Sequence, residues 1–153
     1  MSRPALYLRY KNKEDIFRSL AEFYFDDAVA NVSAALSQPG PFDTVLADSF
    51  DAMGGAKAEA MLSSPHGREL LDAGNTTSPD IAEAGNLRLH GLYRDWLQAG
   101  VDAGNVQLGT APEIAAQMIL SALHGIKVNA PDYPSYLTQI AALAAMLGAG
   151  LTR

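Results

Sequence analysis

Between Asn12 and Ser37 apolar side chains return every three or four residues: Phe17, Leu20, Tyr24, Ala28, Val32 and Ala35. That spacing is one face of a helix. Asn12 is a favoured N-cap, and Asp15 three residues on makes a variant of the capping box. Glu14 and Asp15 put negative charge on the first turn, where the helix dipole favours it. Pro39, Gly40 and Pro41 cannot continue the helix. The spacing therefore predicts a helix over about residues 13–36.

The same reading divides the rest of the chain. "FDTVLADSFDAMGG" predicts a second helix with Val45, Leu46, Ser49, Phe50 and Met53 on one side, bent or ended by Gly54 and Gly55. "AKAEAMLSS" is a short helical piece. "SPHGRELLDAG" has Ser64 as cap and Pro65 at the first helical position, with Gly74 closing it. "SPDIAEAGNLRLHGLYRDWLQAG" opens the same way with Ser78 and Pro79. Its stripe is Ile81, Gly85, Leu89, Leu92, Tyr93 and Trp96, and Gly100 ends it. After a connector, Thr110 and Glu113 form a T-x-x-E capping box for another helix, and Pro134 stands near the start of the last. No segment alternates with the two-residue period of a strand. The expected fold is all-α.

The last two helices, "IAAQMILSALHGI" and "IAALAAMLGAGL", are apolar nearly all round and rich in small residues. Such helices need cover on every side, and 153 residues hold too little other protein to provide it. The expectation is a homodimer in which this pair packs on its copy as a four-helix bundle, with Ala115, Ala122, Gly125, Ala141, Ala145 and Gly148 at the interface.

Composition narrows the classes. Apolar residues make up 48% and cysteine is absent, which excludes disulfides, thiol catalysis and cysteine metal sites. No apolar run is read as long enough to span a bilayer, and no secretory signal is read at the start, so the expected setting is cytoplasmic, without a membrane partner. The net charge of −6 is uneven: residues 1–20 carry five basic and two acidic side chains, and the remainder carries six and fifteen. A basic end on an acidic body points to an electrostatic contact confined to that end.

The basic end is patterned. The run "SRPALYLRYKNKEDIFRSLAEFY" resembles the second half of the DNA-binding domain of the tetracycline-repressor-like (TetR) family of transcriptional regulators. Leu6, Tyr7, Tyr10, Lys13, Glu14, Asp15 and Ile16 fill that family's places in register, with Tyr10 where a phenylalanine is usual. The resemblance implies that Ser2, Arg3, Pro4 and Ala5 begin a recognition helix that enters the major groove of operator DNA. It implies backbone contacts from Tyr7 and Lys13, and core packing for Leu6, Tyr10 and Ile16. It divides the chain into residues 1–36, a residual DNA-binding segment, and residues 37–153, a ligand-binding and dimerisation domain. The family places two further helices before the recognition helix, and only Met1 precedes Ser2 here. The expectation is a ligand-responsive, DNA-binding homodimer that binds DNA poorly as given. The competing expectation is a dimeric small-molecule-binding or interaction protein that has abandoned DNA.

No chemistry competes with that reading. His66, His90 and His124 fall in separate helices, without metal-ligand spacing. Neither a nucleophile-elbow motif nor a phosphate loop is present, so no catalytic residue, metal or cofactor is expected. Phe50, Met53, Met61, Tyr93, Trp96, Met118 and His124 are the residues expected to line an apolar cavity for a small apolar or aromatic ligand.

Overall fold

The computed structural model describes residues 11–68 and 78–152. The named helices are α1 (Lys13–Leu36), α2 (Phe42–Leu62), α3 (Pro79–Asp102), α4 (Pro112–Asn129) and α5 (Tyr133–Leu151). Residues 65–68 are also helical. Among the described residues the only β-type pairing is an isolated bridge between Val106 and Thr152, which ties the α3–α4 connector to the end of α5. The all-α expectation holds.

α1 begins where its cap lies: the Asn12 side chain accepts the Asp15 backbone N–H at 2.9 Å. α5 starts the same way, with the Asp132 carboxylate accepting the Ser135 N–H at 2.8 Å. The other starts differ from expectation. α4 begins at Pro112 with Ala111 as N-cap, so the Thr110 capping box does not form. Pro112 sets the first helical φ and holds the residue before it extended, leaving Thr110 outside the cap. Ser78 does stand at the N-cap of α3, but its hydroxyl makes no cap hydrogen bond. α2 runs straight through Gly54 and Gly55. A β-carbon on Gly54 would lie 2.7 Å from the Tyr136 hydroxyl, so this glycine admits α5 rather than breaking α2. α3 continues past Gly100 to Asp102.

α1 packs on α2 and α3, α2 on α5, and α3 on α4, with a lighter contact between α4 and α5. Two ion pairs join α1 to α3. Arg18 holds Asp80 through two bonds of 3.0 and 2.8 Å, and Arg88 reaches Asp26 at 2.7 Å. The partners are offset by the same number of residues in both pairs, so the helices run parallel. The Arg18 guanidinium lowers the Asp80 carboxyl to about 2. The core gathers Val32, Leu46, Phe50, Leu89, Tyr93 and Leu97, all buried. Tyr93 and Ser49 meet at 2.9 Å inside it, and the Ser49 hydroxyl donates to the Leu46 carbonyl at 2.7 Å.

Candidate ligand-binding cavity

All five helices converge on one cavity of about 430 Å³, within the range of small-molecule sites. α1 contributes Phe17, Tyr24, Phe25 and Ala28; α2 contributes Phe50, Met53, Lys57 and Met61. The N-cap and first half of α3 add Ser78, Ala82, Asn86 and Leu89, while α4 adds Leu120, Leu123, His124 and Lys127. Tyr136 of α5 completes the wall. Leu20 and Phe23 of α1 also line it and are more than half exposed, at 57% and 62%, so the mouth lies on that side.

The polar groups are few. Lys57 pairs with Asp27 at 2.9 Å and stands over the Phe23 ring at 4.3 Å. Lys127 donates to the Tyr24 hydroxyl and lies 4.7 Å from the centre of the same ring. Among the described residues no carboxylate pairs with Lys127. Burial raises the Tyr136 phenol to about 12, so it stays protonated. The Ser78 hydroxyl is buried on the same wall without a hydrogen-bond partner among the described residues.

Of the residues expected to line a cavity, Phe50, Met53, Met61 and His124 do. Tyr93, Trp96 and Met118 do not. Tyr93 packs against Phe50 in the core with ring centres 6.2 Å apart. Trp96 stacks on Phe42 at 4.7 Å, and Met118 is 63% exposed. The apolar stripe of α3 shows which side chains face inward, but only its first two turns and Leu89 border empty space. Sequence reasoning missed Tyr24, Lys57, Ser78, Lys127 and Tyr136. A signal was present for the lysines, each an isolated cation in an apolar helical stretch.

Of the residues assigned to a subunit interface, two face the interior instead. Ala115 is buried, and a β-carbon on Gly148 would lie 2.6 Å from the Asp43 β-carbon, so Gly148 serves the α2–α5 contact. Ala122 and Gly125 are half-buried, and Ala141 and Ala145 are exposed. On the same two helices Ile114, Met118, Val128 and Met146 are exposed, Met146 at 72%. The expectation that no run is long enough for a bilayer needs correction: by length and composition alone, Tyr133–Leu151 qualifies. Small residues spread its apolar character around the whole helix, so periodicity conceals its total length.

Of the residues assigned to DNA, Lys13 opens α1, exposed, with its ammonium 5.8 Å from the Phe17 ring centre. Ser2, Arg3, Pro4, Ala5 and Tyr7 lie outside the described residues. Among the described residues no three His, Asp or Glu side chains gather as a metal-binding group. His90 meets the Glu113 carbonyl at 2.8 Å.

No family model and no curated protein matches the chain. Solved structures do. SmeT, the repressor of the Stenotrophomonas maltophilia multidrug efflux pump SmeDEF, is 20% identical with a TM-score of 0.69, over 99% of this chain and 75% of its own. The TetR-family regulator PfmR of Thermus thermophilus is 22% identical with a TM-score of 0.74, over 100% of this chain and 84% of its own. A TetR-family protein of Mesorhizobium loti is 16% identical with a TM-score of 0.68, over 99% and 81%. SmeT is also known in complex with triclosan. At these identities the likeness speaks for architecture, and the chain has the fold of the TetR-family transcriptional regulators.

Proposed function

We propose that this chain is a TetR-like one-component transcriptional regulator: a cytoplasmic, non-enzymatic homodimer that binds a small molecule in its helical domain and addresses operator DNA through its opening segment. The observation that carries the reading is the cavity, because α1 both lines it and leads directly from the segment that resembles a recognition helix. A ligand that alters the packing of α1 therefore acts on the element nearest the DNA-reading residues Ser2, Arg3, Pro4, Ala5, Tyr7 and Lys13. A change that a ligand favours in one state only is what links two sites.

Taken alone, the 153 residues are expected to hold DNA weakly, because their net charge of −6 opposes the phosphate backbone everywhere but at the basic first twenty residues. Gel retention with the promoter region of the protein's own gene checks this. The expected result is salt-sensitive, micromolar retention without sequence preference. Tight, sequence-specific retention would refute the weakness. Absence of retention in any buffer, with ligand binding preserved, would favour a dimeric ligand-binding protein that no longer reads DNA.

The dimer is proposed through the exposed apolar side chains of α4 and α5. Light scattering is expected to give twice the 16.2 kDa chain mass. Met146→Asp sets a charge at the most exposed apolar side chain of α5, and its desolvation cost moves the particle towards a single chain. A native protein of one chain mass would remove the dimer from the proposal.

A further inference from the structure

We infer that the cavity takes an aromatic acid: a flat aromatic body carrying one carboxylate, with its anionic end at Lys127. The inference rests on the ligand-binding reading above and adds the chemical class of the ligand.

The walls determine the body. Rings from Phe17, Tyr24, Phe25 and Phe50, with Met53 and Met61, surround a volume of about 430 Å³. Aromatic faces and adaptable thioethers suit a flat apolar partner.

The charges determine the end group. Lys57 and Lys127 line the cavity and, among the described residues, no carboxylate does. Asp27 stands beside Lys57 and neutralises it at 2.9 Å. Among the described residues Lys127 has no such counter-ion: its contacts there are the hydroxyl and the ring of Tyr24, both neutral. A partly buried ammonium without an anion is held at a cost that an arriving carboxylate offsets. A cationic ligand meets the reverse situation, with two ammonium groups in the wall and the nearby carboxylate already engaged. A neutral hydrocarbon would displace water from Lys127 and return nothing. His124, exposed and also in the lining, brings no negative charge.

Ser78 is the independent observation. Its hydroxyl is fully buried on the α3 wall and has no hydrogen-bond partner among the described residues, although it stands at a helix start where a serine ordinarily caps. Buried hydroxyls are normally satisfied. In the proposal it donates to a polar group on the occupant once the wall at the start of α3 gives way, since the hydroxyl has no accessible surface as that wall stands.

Isothermal titration at pH 7 tests the inference with three matched sets: benzoate, 1-naphthoate and 4-biphenylcarboxylate, each beside its neutral primary amide and its arylmethylammonium. For the best-fitting ring system, the carboxylate is expected to bind about tenfold more tightly than the amide, the size of one charge-assisted hydrogen bond. The ammonium is expected to bind more weakly than either. Lys127→Met should bring the carboxylate-to-amide ratio close to one, the carboxylate losing the larger share of its affinity. Ser78→Ala should weaken the carboxylate several-fold. Circular dichroism confirms that each variant is folded, and the unmodified protein's ratio is decisive even if a variant is not. An amide or ammonium that binds as tightly as its carboxylate overturns the acid and leaves the ligand-binding reading standing. Binding by none of the nine probes overturns that reading and this inference together.

Discussion

Tyr93→Ala is expected to cost about 3–5 kcal/mol of folding stability, the scale of a large aromatic side chain removed from a packed core. Tyr93 is fully buried, 6.2 Å from the Phe50 ring, within the cluster that joins α2, α3 and α4. Truncation removes this packing and leaves a hole that the surrounding helices cannot close completely. Tyr93→Phe separates the two contributions. It keeps the ring and loses only the hydrogen bond to Ser49, whose own hydroxyl remains satisfied by the Leu46 carbonyl. That variant should lose about 1 kcal/mol. Urea unfolding at fixed protein concentration measures both, and a Tyr93→Ala loss below that of Tyr93→Phe would contradict the packing described. Alkali offers a further check. Burial pushes the Tyr93 phenol well above its usual range and raises Tyr136 to about 12. Tyrosines of the unfolded chain release their protons near 10. The raised folded values therefore contribute stability that is complete below pH 10 and lost as pH rises through the folded pKa values. Tyr93→Phe should flatten that decline.

Much of this architecture was legible in the sequence, because helix boundaries follow from local chemistry. Asn12 and the Pro39–Gly40–Pro41 run bracket α1 without reference to anything distant. The errors arise where a residue answers to a distant neighbour. Gly54 reads locally as a breaker, but it is a glycine because Tyr136, from the far end of the chain, needs its space. Gly148 and Ala115 read as small residues kept for a partner molecule, and they serve contacts within the chain. Ser78 reads as a cap and becomes a buried hydroxyl within a cavity wall. Periodicity shows which side of a helix turns inward. It does not show whether that side meets protein or empty space, which is why it groups Trp96 and Tyr93 with Phe50 and passes over Lys57 and Lys127.

Gly85→Val should destabilise the protein by about 1–3 kcal/mol, and the sign of the smaller change Gly85→Ala is the more instructive measurement. In a helix interior, replacing glycine by alanine ordinarily gains about 0.5–1 kcal/mol, since the unfolded glycine has more conformational freedom to lose. At position 85 a β-carbon would fall 2.2 Å from the Phe25 ring, far inside contact distance, where the parallel helices α1 and α3 meet. The steric term should therefore win, and Gly85→Ala should lose stability. Gly91, six residues further along α3, supplies the control: a β-carbon there meets only an Arg94 side-chain nitrogen at 3.8 Å. Gly91→Ala should gain stability by the ordinary amount. If the Phe25 ring is the cause, removing it should relieve the clash, so that Phe25→Ala with Gly85→Ala costs less than the two changes summed. Additive losses would mean that α1 and α3 do not meet at this glycine. Because Phe25 also lines the cavity, any movement forced on α1 by a side chain at position 85 should weaken the aromatic carboxylate in the same series of variants.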